Sequence, residues 1–443
     1  MKQVSHVFPR HTKVSLPVAV SGEGCYLFDS TGKQYLDACG GAAVSCLGHS
    51  DQFVKEAIKA QIDELPFVHS GFFTSDPTES LANLLVKYAP EGIERVYFVS
   101  GGSEAVEAAL KLARQYFLEK GEPQRTCLIA RRQSYHGNTL GALATGGNEW
   151  RRKPFKPLMI DTTHISPCYA YRGQQSGESE YDYGQRVANE LEDELLRLGP
   201  DTVIAFLAEP VVGATLGAVP AVKGYFRRIR EICDQYGVLL ILDEVMCGMG
   251  RTGTLFACEQ DGISPDIVTI AKGLGAGYQS LGAMLCSGEI YAAIEQGSGF
   301  FQHGHTYMGH ATACAAGEAV LTTLLERQLV EQVNAVGDKL DQALRAEFSE
   351  HPFVGDLRGR GLFRGIELVA DKATKAPLNT ELATAKRVKQ AACELGLMCY
   401  PMSRTIDGER GDHVLLAPPF IFDDSHIDEL LTKLKGAFDV ISA

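Results

Sequence analysis

The chain is short of several things, and each shortage removes a class of function. No stretch of its 443 residues reaches the apolar length of a membrane span. Residues 1–21 carry His6, Arg10, His11 and Lys13 but no continuous apolar core of signal-peptide length. Twelve cysteines are scattered singly, with no C-x-x-C pair and no zinc-type spacing. They read as free, mostly buried thiols in a reducing cytoplasm. Positive charge is in deficit, 42 Lys and Arg against 55 Asp and Glu, for a net charge of -13. A field of that sign disfavours nucleic acid and acidic membranes as partners. The Gly101-Gly102-Ser103 turn is followed by no Gly-Lys-Ser/Thr and lacks the dinucleotide fingerprint spacing. There are no repeats and no low-complexity tract.

What is present reads as a large α/β domain with a smaller companion. The central stretch is Val238 to Lys272. Val238-Leu239-Leu240-Ile241-Leu242 stops at Asp243-Glu244, and a glycine-rich turn, Gly248 to Gly253, follows. Pro265 to Ala271 then leads into Lys272 and the cluster Gly273, Gly275, Gly277. Two short apolar runs bounded by turns predict buried parallel strands. One delivers a carboxylate and the other an amine at the end of the sheet where ligands bind. That pair suits a cofactor with a basic ring nitrogen and an aldehyde, which is pyridoxal phosphate.

Around this stretch, strands are predicted at 25–28, 34–37, 95–100, 126–130, 202–208, 282–286 and 397–400, with a strand-like stretch at 412–419. Helices are predicted at 52–65, 77–88, from 105, at 184–198, 223–236, 311–328, 330–348 and 382–395. The helix at 52–65 has Phe53, Ala57, Ile58, Ile62 and Leu65 on one side. Residues 151–183 are rich in proline, serine and glycine and read as surface loop. Residues 359–369 alternate like a half-exposed strand. The strand at 95–100 breaks at Gly101-Gly102-Ser103 directly before a helix. Unpartnered first-turn N–H groups and the helix dipole there favour an anion, although Ser103 could equally serve as a cap. Tyr135-His136-Gly137 puts an aromatic ring in a turn, fit either to pack a loop or to stack on a planar group. Glu209-Pro210 ends a further buried strand. His303, His305 and His310 share one loop, but without matching acidic or cysteine partners the loop reads as contacting the cofactor or a neighbouring subunit rather than a metal.

The ordered set Ser100 to Ala105, Tyr135-His136-Gly137, Glu209-Pro210, Asp243-Glu244-Val245, Gly250-Arg251-Thr252-Gly253 and Ala271-Lys272-Gly273 resembles the class III (omega) aminotransferases, which are fold-type-I pyridoxal-phosphate enzymes. The likeness runs along essentially the whole chain. It implies an α/β fold with a mostly parallel central sheet in a large cofactor-binding domain, residues 50–328. A smaller α+β domain would be built from both termini, residues 1–49 with 329–443. It implies that Lys272 holds the cofactor covalently and moves the proton, and that Asp243 pairs with the ring nitrogen. Val245 and Tyr135 would cover the two ring faces, and Gly102 and Ser103 would bind the phosphate. Thr306 would reach the phosphate of a second subunit, in a homodimer or a dimer of dimers.

For substrate, the resemblance implies a primary amine or omega-amino acid as donor and a 2-oxo acid, pyruvate foremost, as acceptor. Met246 stands where relatives acting on 4-aminobutyrate or ornithine usually have glutamine. Glu209 resembles the family glutamate that pairs with a mobile, carboxylate-binding arginine. Arg404 and Arg410 both precede Gly411-Asp412-His413, within a segment that many relatives lack, and Arg410 lies closer to that anchor. Ala42 and Ala43 occupy the place of a pocket tryptophan, which implies a wider pocket, and Phe72 and Phe73 are candidate lining residues. Same-family aminomutases, racemases and a decarboxylating transaminase share this cofactor set. A non-enzymatic binding domain of the kind found in transcription regulators is disfavoured, because the chain leaves no length for an added DNA-binding domain.

Overall fold

The computed structural model describes residues 5–441. A seven-stranded sheet forms the centre, in the order Ile93–Val99, Gly282–Ser287, Ile267–Ile270, Leu239–Asp243, Val203–Ala208, Cys127–Arg131 and Thr163–Ile165. Gly282–Ser287 runs antiparallel to both of its neighbours, and the other pairs are parallel. Leu239–Asp243 and Val203–Ala208 are buried at every position. Such strands read as unbroken apolar runs because helices cover both faces. Asp243 lies opposite Thr269 across the parallel pair, so the two strand ends that carry the carboxylate and the lysine finish side by side.

Helix Gly102–Glu119 buries Ala105, Ala108, Ala109, Leu112, Ala113 and Tyr116, the apolar stripe of the sequence. Gly101, not Ser103, is its N-cap. The Ser103 hydroxyl instead accepts the Asn138 N–H at 3.0 Å, so its role as a cap is overturned.

Three readings of the elements change. The loop reading of 151–183 gives way to the edge strand Thr163–Ile165, short helical turns and a helix that starts at Glu180. Ser179 caps that helix by accepting the Asp182 N–H at 3.1 Å. Phe363–Leu368, expected to be half exposed, is buried along its whole length. Its alternation came from Arg364 and Glu367, which are buried with partners: Arg364 meets Asp341 at 3.0 Å, and Glu367 meets Arg358 at 2.8 Å and Arg172 at 2.7 Å. Tyr169 adds a hydroxyl to Glu367 at 2.6 Å. In helix Gln52–Glu64, Val54 enters the core while Phe53 and Ile62 face outward, as does Leu65 at its end.

A second sheet, Val354–Arg360, Phe363–Leu368, Asp412–Leu416 and Tyr400–Ser403, is antiparallel throughout. The amino-terminal strands Ala19–Glu23, Tyr26–Asp29 and Gln34–Asp37 join Leu397–Met398, which pairs parallel with Gln34–Asp37. All twelve cysteines are free; Cys127 and Cys393 are partly accessible and the rest are buried.

Candidate active site

The ends of these strands and the start of helix Gly102–Glu119 enclose a cavity of about 600 Å³. Lys272, Asp243, Gly102, Ser103, Tyr135, Val245, Glu209, Met246 and Ala42 all line it. These residues lie as far apart in sequence as Ala42 and Lys272, and the sheet topology brings them together.

Lys272 follows Ala271, which is extended, and has φ +46°. A left-handed conformation at a non-glycine residue costs roughly 1–3 kcal/mol and is held only by its surroundings. Here the surroundings are the tight turn of Lys272–Leu274, closed by the Gly275 N–H donating to the Lys272 carbonyl at 3.2 Å. Burial lowers the pKa of the Lys272 amine from its usual 10.5, against the opposing pull of Asp243 and Glu209. A lysine less protonated than in water is the nucleophile that an aldehyde cofactor needs.

Three donors fix Asp243. Oδ1 accepts the Val245 N–H at 3.0 Å and the Thr269 hydroxyl at 3.3 Å, and Oδ2 lies 2.7 Å from His136 Nδ1. His136 is fully enclosed, and its Nε2 has no partner among the described residues. The Tyr135-His136-Gly137 turn thus supplies a lining ring and, one residue later, the imidazole that orients the carboxylate. Such an orienting hydrogen bond is how a buried acid is held in one geometry.

The close approaches here require glycine. A Cβ on Gly102 would sit 2.7 Å from Val245 Cγ1, and one on Gly137, at φ +138°, would sit 2.6 Å from Ser103 Oγ. The first turn of the helix therefore opens on the cavity without side chains in the way. Its free N–H groups and dipole make an anion cradle. An anion cradle, a fixed carboxylate and a depressed lysine around one cavity fit pyridoxal phosphate.

Glu209 is buried, and burial pushes its carboxyl up to about 7, against the pull of His136. Its oxygens accept the Tyr135 and Gly213 N–H groups, each at 3.4 Å. Met246 sits beside Gly213 so closely that a Cβ there would be 2.4 Å from Met246 Sδ.

Other expected residues lie elsewhere. Ala43 is buried behind the wall in an apolar cluster with Met246, while Ala42 and Val44 face the cavity. Phe72 and Phe73 are 81% and 67% exposed and do not line the cavity of the single chain. Thr306 lies in the exposed 300–310 loop, outside the lining. Arg410 is on the surface, its Nε 2.7 Å from Asp407, in a turn whose backbone N–H groups also bond Asp407. Arg404 stacks on Trp150. Neither arginine enters the cavity. Sequence reasoning missed two that do, Arg10 and Arg151, together with Tyr400 and the role of His136. Only His136 carried a signal, as part of a quoted motif.

Comparison with known proteins gives this geometry its class. The chain matches the Aminotransferase class-III family over residues 7–438 and belongs to that family. An uncharacterised aminotransferase of Schizosaccharomyces pombe is 47% identical, covering 95% of this chain and 92% of its own. A putrescine–pyruvate aminotransferase of Pseudomonas aeruginosa is 34% identical over 96% of this chain and 91% of its own. The crystal structure of a thermostable (S)-enantioselective omega-transaminase from Thermomicrobium roseum superimposes with a TM-score of 0.93. It is 36% identical, covering 99% of this chain and 97% of that one. The protein is thus a fold-type-I, pyridoxal-phosphate-dependent aminotransferase.

Proposed function

We propose that the protein transfers the amino group of a primary amine or omega-amino acid to a 2-oxo acid, with pyruvate the leading acceptor. The observation that carries the donor assignment is Met246, an apolar side chain in the cavity wall three residues past the end of the Asp243 strand. Ala42 adds a small apolar residue to the same lining, which suits a donor with an apolar body. The name of the P. aeruginosa relative joins an amine donor to pyruvate and supports the same pairing.

Pyridoxal phosphate, when bound, supplies an aldehyde for the amino group and a ring that takes up electron density from the substrate carbon. In this reading the Lys272 amine holds the cofactor and then carries the proton to and from the substrate carbon. Asp243, oriented by His136, pairs with the ring nitrogen. Gly102 and Ser103 hold the phosphate, and Tyr135 and Val245 cover the ring faces. The same reading assigns residues 50–328 to the cofactor-binding domain and 1–49 with 329–443 to the smaller one. The pairing of Gln34–Asp37 with Leu397–Met398 supports that division. We assign the working unit to a homodimer in which the partner chain brings its Thr306 loop to this cavity. The free thiols suit a reducing compartment such as the cytoplasm.

The test is a panel of amines and omega-amino acids supplied with pyruvate, reading alanine formation. Alanine from an apolar amine donor is the expected result. Epimerised or isomerised amino acid without alanine, across the panel and with other oxo acids, would move the chain to the racemase or aminomutase branch of the family.

A further inference from the structure

Arg151 is a cation without an anion. It lies in the short helix Glu149–Arg152, capped by Asn148, whose Oδ1 accepts the Arg151 N–H at 3.3 Å. Asn148 is itself buried and donates to Gln133 at 3.1 Å. The guanidinium lies 4.7 Å from the centre of the Tyr135 ring and 5.7 Å from that of Trp150. Its Nε is shut off from solvent and has no hydrogen-bond partner among the described residues. Among the described residues no carboxylate forms an ion pair with it, whereas its neighbour Arg152 pairs with Glu149.

This position is braced from outside. Arg404 lies 4.9 Å from the other partner in the stack, Trp150. Gly408, at φ +86°, approaches so closely that a Cβ would be 3.0 Å from the Trp150 N. Arg404, Trp150, Arg151 and Tyr135 therefore form a ladder of alternating cations and rings from the 404–411 segment to the cavity wall. Stacked pairs of this kind fix the plane of the guanidinium. A planar, half-buried fork whose shielded Nε has no partner among the described residues matches a carboxylate.

We infer that Arg151, held by Tyr135 and Trp150, is the anchor for the carboxylate of the 2-oxo acid, the role that sequence position had suggested for Arg410. Arg404 and Gly408, both against Trp150, act as positioning residues behind it. The inference rests on the proposed acceptor class, but the binding it describes can be measured without turnover.

The experiment titrates holoenzyme with propionate, an unreactive carboxylate, by calorimetry. It then compares pyruvate with propanal, which lacks the carboxylate, as acceptors. Arg151→Gln should weaken propionate binding about tenfold or more and raise KM for pyruvate in step, while leaving kcat/KM for propanal within about threefold. Arg151→Lys should recover part of the loss, and Arg410→Gln should behave as wild type. The inference fails if Arg410→Gln carries the effect, if Arg151→Gln leaves propionate binding unchanged, or if it weakens pyruvate and propanal equally. It also fails if that variant loses pyridoxal phosphate instead of propionate, which would make Arg151 a cofactor contact. Propionate held through Arg151 by a wild-type enzyme that aminates no 2-oxo acid would retain the anchor and overturn the acceptor assignment.

Discussion

At the scale of single residues, burial sets the chemistry. The lowered pKa of the Lys272 amine means that a larger share is free base at any pH below its usual 10.5. Loading of apoprotein with pyridoxal phosphate, followed by the gain of yellow colour, should rise with pH and level off below that value. Lys272→Ala should develop no such colour and lose nearly all turnover, and full activity in that variant would end the proposed role of the lysine. Glu209 gives a stability effect of definite sign. Its carboxyl stands near 7 in the folded chain against 4.5 when unfolded, so the folded state holds this proton more tightly. The resulting stabilisation is complete below about pH 4.5 and is lost as pH rises to about 7. In thermal melts of the apoprotein, Glu209→Gln should reduce the fall in Tm across that window. A fall as steep as in wild type would mean that another group carries it.

At the scale of elements, the parts legible in the sequence were those whose cause is local. The strands that deliver Asp243 and Lys272 are short, mostly apolar runs followed by glycine-rich turns, and such boundaries are marked by local sequence. The cavity wall formed by Arg151 was not legible. Its surroundings have the polar, proline-containing composition of a surface loop, and only the tertiary stack on Tyr135 turns it inward. Arg410 illustrates the converse. Proximity to Gly411-Asp412-His413 suggested it, but the turn folds its side chain back onto Asp407. Strand Phe363–Leu368 was misjudged because Arg364 and Glu367 read as solvent-facing when each has buried partners. That burial makes Glu367 a test of the element. Glu367→Ala would leave Arg358 enclosed beside a missing carboxylate, and should cost about 3–5 kcal/mol in denaturant unfolding. A loss below about 1 kcal/mol would show that Asp356 and the Leu216 and Gly217 carbonyls suffice to hold Arg358.

At the scale of the whole molecule, the surface shows what the single chain leaves unfinished. Phe53, Ile62, Leu65, Phe72, Phe73 and Tyr307 are all exposed. Exposed apolar side chains of this size mark an interaction surface where they adjoin. In the proposed homodimer a second copy covers it, which accounts for Phe53 and Ile62 on helix Gln52–Glu64 facing outward while Ala57 and Ile58 pack on the core. Phe72→Asp with Phe73→Asp should shift sedimentation toward monomer and reduce activity together. A fully active monomer would remove the shared cavity from the scheme.

The free cysteines give the molecule a built-in clock. Ten thiols are buried across the core and two, Cys127 and Cys393, are partly accessible. Burial also raises the pKa of several of them, including Cys46 and Cys233, each to about 12, which suppresses the reactive thiolate. An alkylating label should therefore modify the two accessible positions first and reach the others only as their surroundings open. The order of labelling, read peptide by peptide in a mass spectrometer, would rank the layers of the fold by how often each one breathes.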